Sequence, residues 1–466
     1  MLSILGILLS LLLLMTLAYR GLNVLVLAPV MALLAVLLGR EAPLLATYTQ
    51  VYMVSLGGYL VKYFPLFMLG SIFGKLMGDS GSARAISQFI VARLGQQRAI
   101  LAIVLSCAIL TYGGVSLFVV AFAVYPIAAD LFRTAGTPKR FIPGAIALGA
   151  FTFTMTALPG TPAIQNAIPM PFFGTTPFAA PALGTIGGLI MLCGGMMWLN
   201  RRARRAMQAG EGYGQHAEEL NEASNSTETA RATPSIALAI APILLVIVGN
   251  YAFSKSIIPS WDTSYLSEAE YGQTELKSVL GIWAIICGLL VAICALIVLH
   301  WRRWENLKDS INRGTKDALL PIFNTASEVG YGTVIASLAA FALVRDWVLN
   351  LSPENPLISE AIAVTTLAGI TGSASGGLSI ALSTLGATYL QLAEQSDISP
   401  ELLHRVASMA SGGFDTLPHN GAVITLLAIT NLTHRSSYVD IFMVAVVVPV
   451  FATVAVIILG GQFGAF

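Results

Sequence analysis

Charged side chains are scarce in this chain of 466 residues. They make up 11% of it, whereas soluble domains contain about 25%. Hydrophobic residues account for 56%, and apolar runs of about 20 residues recur along the chain. This composition excludes an ordinary soluble domain and predicts an all-α polytopic membrane protein in a lipid bilayer. The formal net charge of +1 gives no reason to expect an acidic partner, and we find no nucleic-acid-binding motif.

Cysteine is scarce as well. The four cysteines all fall in apolar segments without the spacing of a zinc site, so we expect packing residues and neither a metal site nor a cofactor. Walker A and HExxH motifs are absent, which argues against an ATP-driven pump subunit and a zinc protease. The GDSG at Gly78–Gly81 resembles the surroundings of some peptidase nucleophiles, but no supporting His or Asp pattern accompanies Ser80. Intramembrane hydrolysis is therefore the weakest alternative.

Apolar segments divide the chain into two halves joined by a hydrophilic stretch at about 201–233. The first half has segments at 2–19, 22–39, 58–77, 99–131 (interrupted by TYGGVS), 141–175 (interrupted by LPGTP) and 178–199. The second half has segments at 235–253, 279–300, 318–337, 358–394 (interrupted by TGSASGGLS), 402–433 (interrupted by DTLPHNG) and 438–463. Pro and Gly in the interruptions predict breaks in the helices, and such backbone is tolerated at membrane depth only inside protein or a water-filled cavity.

Three landmarks recur in the same order in the two halves, which predicts an internal duplication. They are FPLF at 64–67 with LPIF at 320–323, GGVSLF at 113–118 with GGLSIA at 376–381, and ALPGTPAI at 157–164 with TLPHNGAV at 416–423. The second glycine of each pair precedes the proline by 45 residues in the first half and by 41 in the second. Chance matches among Gly, Leu and Pro are the alternative explanation.

Basic residues set the predicted topology. RRARR at 201–205 and the five Lys and Arg residues of His300–Lys316 are expected on the cytoplasmic side. The acid-rich loop at 254–277 and both termini then lie outside, and the halves run in opposite directions. The expected fold is two inverted repeats, each with three spans, a re-entrant hairpin, a broken helix and a final span, as in many secondary transporters.

This interpretation divides the chain into a scaffold and a transport part. The first repeat is 1–200, with scaffold 1–98, hairpin and broken helix 99–175 and last span 178–200; a cytoplasmic linker spans 201–233; the second repeat is 234–466, with scaffold 234–350, hairpin and broken helix 358–433 and last span 438–463.

An inverted repeat would bring two hairpin tips and two helix breaks together near the middle of the bilayer. Glycine pairs allow tight turns, and half-helix N-termini offer free N–H groups to a carboxylate. The candidate substrate-binding residues are Thr111, Gly113, Gly114, Ser116, Gly160, Thr161, Gln165 and Asn166 of the first half and Ser375, Gly376, Gly377, Ser379, Thr416, His419 and Asn420 of the second. So many neutral hydrogen-bonding groups suit an anion that also carries hydroxyls. Individually, each Ser or Thr could instead serve a helix–helix contact.

Four ionisable residues are identified at membrane depth, where placing a charged side chain costs free energy and therefore requires a function or a partner. Lys75 lies near the predicted inner end of its span and could reach the interface. Asp415 and His419 flank the second break, and Glu328 follows Asn324 by one helical turn. Asp415, His419 and Glu328 are the candidates for taking up a proton with the substrate.

Four motifs resemble the gluconate permease (GntP) family of the ion-transporter superfamily. They are KLMGDSGSARAI at 75–86, TYGGVSLF at 111–118, ALPGTPAIQNAIP at 157–169 and GGFDTLPHNGAVITLLAITNLTHRSSY at 412–438. The resemblance implies a secondary carrier, not an enzyme, that imports small hydroxycarboxylates with protons across a bacterial cytoplasmic membrane. It also implies an elevator-type fold, with a scaffold that forms a homodimer.

One motif departs from the gluconate-type pattern. Where gluconate-type members carry a break closer to SHVNDAG, Leu417–Ala422 reads LPHNGA, which looks more like the D-β-hydroxybutyrate permease branch. The resemblance therefore favours a short hydroxyacid such as 3-hydroxybutyrate, with a gluconate-like sugar acid next. A sodium-coupled carboxylate symporter of the same fold and a passive anion channel are the alternatives.

Overall fold

The computed structural model describes residues 2–20, 22–40, 42–214, 233–350, 352, 355–418 and 420–466. Helices dominate this part of the chain, and none of it forms a β-strand. The first half contains eight helices of nine residues or more: α1 (Leu2–Tyr19), α2 (Val24–Gly39), α3 (Leu44–Asp79), α4 (Ser82–Leu94), α5 (Ala99–Tyr112), α6 (Leu117–Thr134), α7 (Ile142–Ala150) and α8 (Pro181–Gln208). Three short helices, Phe153–Thr156, Ile164–Ala167 and Met170–Phe173, lie between α7 and α8.

The second half presents the same order of elements. Its helices are α9 (Ile236–Ser260), α10 (Leu276–Leu299), α11 (Leu307–Ser337), α12 (Phe341–Leu349), α13 (Pro356–Thr371), α14 (Ala374–Gln395), α15 (Pro400–Ser411), α16 (Gly421–Ile429) and α17 (His434–Phe463). In both halves a long helix (α3, α11) is followed by a helical hairpin (α5 and α6, α13 and α14), an interrupted helix and a long final helix (α8, α17). The predicted interruptions at LPGTP and DTLPHNG are confirmed, since α7 ends at Ala150 and α15 ends at Ser411.

Among the described residues, five helices are long and apolar enough to cross a membrane. They are α3, α8, α9, α10 and α17. The helices α4 and α5 are joined through a bend of 109°. Leu2–Tyr19, Val24–Gly39 and Pro356–Thr371 add shorter apolar helices. The prediction of an all-helical polytopic membrane protein is confirmed.

Close packing between several helices depends on small residues. α3 and α11 pack along each other, and a β-carbon on Gly314 would lie 2.8 Å from the Cα of Ile72. Between α5 and α7, a β-carbon on Gly149 would lie 2.4 Å from the carbonyl oxygen of Val104. Glycine at these positions allows the backbones to approach, as is usual for helices in membranes.

The hydrophilic stretch between the halves begins as a helix. α8 continues through the basic run at 201–205 and ends at Gln208. Residues 215–232, which carry most of the predicted linker, lie outside the described residues.

Candidate functional site

The tip of the first hairpin turns at the predicted glycines. Gly113 and Gly114 separate α5 from α6, Gly114 has a φ of +92°, and Ser116 directly precedes α6. A positive φ strains any residue with a β-carbon, which explains the glycine. Thr111 lies in the last turn of α5, and its buried Oγ1 has no hydrogen-bond partner among the described residues.

The tip of the second hairpin lies earlier than the sequence suggests. The chain turns at Gly372, with a φ of +64°, and Ser373, whose Oγ accepts a hydrogen bond from the N–H of Gly376 at 3.0 Å. Gly376 and Gly377 therefore lie in the first turn of α14. Ser116 and Ser373, each directly before the second arm of its hairpin, are the positions that correspond. Placing the Gly376–Gly377 pair at the turn was wrong.

These two glycines instead allow close contacts on two sides of the hairpin. A β-carbon on Gly377 would lie 2.1 Å from the backbone nitrogen of Ala368 in α13. A β-carbon on Gly376 would lie 1.7 Å from Oε2 of Glu328 in α11. Gly377 therefore brings the two arms together, and Gly376 accommodates the carboxyl group of Glu328.

Each break is joined to the hairpin tip of its own half by one hydrogen bond. Tyr112 donates its hydroxyl to the carbonyl oxygen of Pro159 at 2.6 Å. Nδ2 of Asn420 donates to the carbonyl oxygen of Gly372 at 2.7 Å. In both halves the tip and the break thus form one local unit, although 45 or more residues separate the bonded positions.

Polar side chains at the first break are buried and largely paired. Nδ2 of Asn166 donates to the carbonyl oxygens of Thr161 and Pro177, at 3.0 Å each. Thr161 and Gln165 are buried beside it. The carbonyl oxygen of Gly160 accepts a hydrogen bond from Nδ2 of Asn250 in α9 at 3.1 Å. Nearby amides thus satisfy the backbone groups that the break exposes.

At the second break, Asn420 caps α16. Its Oδ1 accepts hydrogen bonds from the N–H groups of Ala422 (2.6 Å) and Val423 (3.0 Å). Two of the free N–H groups expected there for an anion are therefore already used. Thr416 donates to the carbonyl oxygen of Ala445 at 3.2 Å. Asp415 is buried, and its Oδ1 has no partner within the described ranges. His419 lies outside the described residues.

The two breaks contact each other. Ser408 of α15 donates to the carbonyl oxygen of Thr156 at 2.8 Å, and a β-carbon on Gly412 would lie 2.7 Å from Cγ2 of Thr156. Each half also packs against the hairpin of the other: α16 against α6, and Met170–Phe173 against α14. The hairpins and breaks of both halves therefore pack together as one interlocked unit.

Hydroxyl groups line the contact between α11 and the second hairpin tip. Oγ1 of Thr325 and Oγ of Ser375 are 3.3 Å apart, and the Oγ atoms of Ser373 and Ser375 are 3.5 Å apart. The carboxyl group of Glu328 lies at this contact, and the buried Oγ of Ser379 is one turn further along α14. Oε2 of Glu328 and Oγ of Ser379 have no hydrogen-bond partner in the part of the chain that the structure describes.

Sequence reasoning missed a buried arginine. Arg405 in α15 is fully buried and donates from Nε (3.1 Å) and Nη2 (2.7 Å) to the carbonyl oxygen of Ala179. Its Nη1 donates to the carbonyl oxygen of Thr156 (3.4 Å) and to Oδ1 of Asn166 (3.2 Å). His404 also binds Asn166, through Nε2 at 3.1 Å. Arg405, which belongs to the second half, thus stabilises carbonyl oxygens at the break of the first half.

Two further buried acids were missed as well. Glu360 in α13 is fully buried and Asp440 in α17 accepts a hydrogen bond from Nε1 of Trp198 at 2.9 Å. His404 and Arg405 stand inside the apolar run 402–433, so the signal for them was present in the sequence.

Lys75, one of the four ionisable residues predicted at membrane depth, pairs with Asp79 at 2.8 Å near the end of α3 and takes no part in the site.

Comparison with known proteins identifies the family. The profile of the GntP family permeases matches residues 1–460. The chain belongs to the GntP permease family. This GntP-family permease is 47% identical, over 98% of both chains, to YxjC of Bacillus subtilis (strain 168), an uncharacterized transporter. Membership makes it an integral membrane transporter and not an enzyme, as the motifs suggested.

The fold of this GntP-family permease is also similar to that of the YdaH transporter of Alcanivorax borkumensis. The TM-score is 0.54 over 88% of this chain and 87% of that chain. The two sequences are 14% identical, so the likeness concerns the fold alone.

Proposed function

We propose that this permease is a symporter that imports a small hydroxycarboxylate together with protons across the bacterial cytoplasmic membrane. The observation that carries the proposal is the interlocked unit of two hairpin tips and two helix breaks. Hydroxyl and amide side chains and helix N-termini occur at the tips and breaks of this unit. Such groups can bind a carboxylate and the hydroxyls of a short acid.

The repeated order of helices supports an inverted repeat. Combined with basic runs on the cytoplasmic side, it puts both termini outside and gives the two halves opposite directions in the membrane. In this proposal the hairpins and breaks (99–175 and 358–433) move as an elevator-type transport part, and a dimeric scaffold holds them.

For the substrate we favour 3-hydroxybutyrate over gluconate. The support is the LPHNGA form of the second break at Leu417–Ala422, together with its resemblance to the D-β-hydroxybutyrate permease branch. Thermal-shift measurements on purified protein with 3-hydroxybutyrate, gluconate, lactate and citrate test this choice. Stabilisation by gluconate alone would contradict it.

Proton coupling is tested in proteoliposomes. We expect an inward proton gradient in sodium-free buffer to drive accumulation of 3-hydroxybutyrate above equilibrium. Uptake driven only by a sodium gradient would favour the sodium-coupled alternative. Equilibration without accumulation, and without counterflow exchange, would favour the passive anion channel.

Loss of a hydroxyl at the first tip (Ser116), or in α14 beside the second tip (Ser379), is expected to weaken substrate binding. Ser116→Ala and Ser379→Ala each remove one hydrogen bond to the anion, about 1 to 2 kcal/mol, so KM should rise roughly fivefold to thirtyfold. The measurement is initial uptake rate against substrate concentration, with Ser267→Ala in the loop before α10 as the control. Wild-type KM in both variants would remove the hairpin tips from the site.

A further inference from the structure

The contact between Glu328 and the second hairpin tip suggests how proton and anion are coupled. Glu328 belongs to α11, outside the hairpin, yet its Oε2 fills the space above Gly376 where a β-carbon would stand. Gly376 lies in the first turn of the 22-residue helix α14. The side chain is 4% exposed, and Oε2 has no hydrogen-bond partner among the described residues. A buried carboxyl group is therefore aimed at a helix N-terminus, the end that attracts negative charge.

Hydroxyl and phenol groups surround this carboxyl group. Ser373 lies beside the same glycine, with its Oγ 3.0 Å from the position of a β-carbon on Gly376, and the phenols of Tyr52 and Tyr59 in α3 are the titratable neighbours of Glu328. Tyr52 is itself hydrogen-bonded to Ser327, and Tyr59 stands beside Ser379. None of these groups carries a positive charge that could compensate an ionised Glu328.

Charged groups on the helices that pack against α11 lie elsewhere or have other partners. In α3, Lys62 lies over the rings of Tyr63 and Phe172, while Lys75 binds Asp79. α2 contains no titratable side chain.

The titratable side chains that the structure describes on the remaining neighbours of α11 lie far along a helix or at the surface. In α14 the titratable residues are Tyr389 and Glu394, which follow Gly376 by 13 and 18 residues, or about 20 Å and more along the helix. Asp346 in α12 is exposed. In α1, Ser10 binds the hydroxyl of Tyr331 at 2.9 Å.

The first half has no counterpart of Glu328. Aligning Pro65 of α3 with Pro321 of α11 places Ile72 at the corresponding position. The first tip is instead approached by Gly74, on which a β-carbon would lie 3.2 Å from the backbone nitrogen of Ser116. The duplicated architecture therefore packs a hairpin tip without an acid, and packing alone does not account for Glu328.

We propose that Glu328 carries the coupled proton, because its carboxylate and the substrate anion compete for the N-terminus of α14. With Glu328 ionised, a second negative charge at this buried site is repelled. Once Glu328 is protonated, the positive end of α14 and the hydroxyls of Ser375 and Ser379 can bind the anion. Anion binding therefore takes up one proton from solution, and by reciprocity a proton strengthens anion binding. This inference rests on the proposed function and assigns its coupling residue.

The test measures proton uptake on binding. At a pH where Glu328 of the free protein is ionised, 3-hydroxybutyrate is added to purified wild-type protein in weak buffer with a pH-indicator dye. Binding should then remove about one proton per site from solution, and affinity should fall up to about tenfold for each further unit by which the pH is raised. Glu328→Gln should bind without proton uptake and with pH-independent affinity, keep counterflow exchange and lose proton-driven accumulation. Glu360→Gln, which neutralises another fully buried acid, is the matched control and should keep the proton uptake.

Two results would overturn the assignment. One is undiminished proton uptake in Glu328→Gln. The other is its loss in Asp415→Asn but not in Glu328→Gln, which would move the role to the second break. Infrared spectroscopy adds a readout that requires no substrate. As the pH is lowered, the free wild type should develop a protonated carboxyl band that Glu328→Gln lacks, and a Glu328 carboxylate that stays ionised down to about pH 5 would refute the proposal. A wild type that binds no hydroxycarboxylate, yet shows this band, would refute the proposed function alone.

Discussion

Gly377→Ala is expected to abolish folding of the second hairpin and, with it, all transport. A β-carbon at this position would lie 2.1 Å from the backbone nitrogen and 2.3 Å from the Cα of Ala368. Backbone atoms cannot rotate away as a side chain can, so the arms α13 and α14 must separate. Overpacking in a well-packed core costs about 1 to 3 kcal/mol, and a contact with backbone falls at or above the upper end. Yield and melting temperature of the detergent-purified protein measure the effect.

Gly386→Ala is the matched control for this experiment. It makes the same chemical change in the same helix, but the new β-carbon would lie 3.3 Å from Cδ1 of Phe172, a ring that can shift. We expect near-normal yield from this variant. Equal behaviour of the two alanine variants would show that the hairpin arms are less closely packed than the geometry indicates.

Arg405→Leu is expected to unfold the region around the first break. The substitution removes the donors to the carbonyl oxygens of Thr156 and Ala179 and to Oδ1 of Asn166. Each hydrogen bond from a charged donor contributes about 1.5 to 3 kcal/mol, and the buried acceptors are then left without partners. A total loss of at least about 3 kcal/mol should appear as a lower melting temperature and as lost uptake.

Arg405→Lys separates geometry from charge at this position, and Arg313→Leu is the control at the surface. Arg405→Lys keeps the positive charge but lacks the planar fork that reaches three acceptors, so it should remain well below wild-type stability. Arg313→Leu removes an exposed arginine that pairs with Asp309 at 2.9 Å, and surface pairs of this kind contribute at most about 1 kcal/mol. A stable Arg405→Lys variant would mean that charge alone suffices.

The local features of the fold were readable in the sequence. Apolar runs predicted the helices, and Pro159 and Pro418 with their neighbouring glycines predicted the two breaks. The motifs around them led to the GntP permease family, which the whole-chain comparison confirmed. The inverted orientation of the halves, the coupling ion and the substrate stay predictions. Gly376 shows where a pattern misled, because a glycine pair looks the same whether it turns the chain or accommodates a neighbour.

By itself, the sequence determined a helical membrane protein with two interrupted helices, because hydropathy and the effects of proline and glycine are local, and the resemblance of its motifs indicated a permease. Only the tertiary structure decided which distant groups meet there. The contacts of Arg405 with Thr156, and of Glu328 with Gly376, join residues separated by 249 and 48 positions. Such contacts depend on how whole helices pack, and a one-dimensional pattern of residue types does not encode that packing locally.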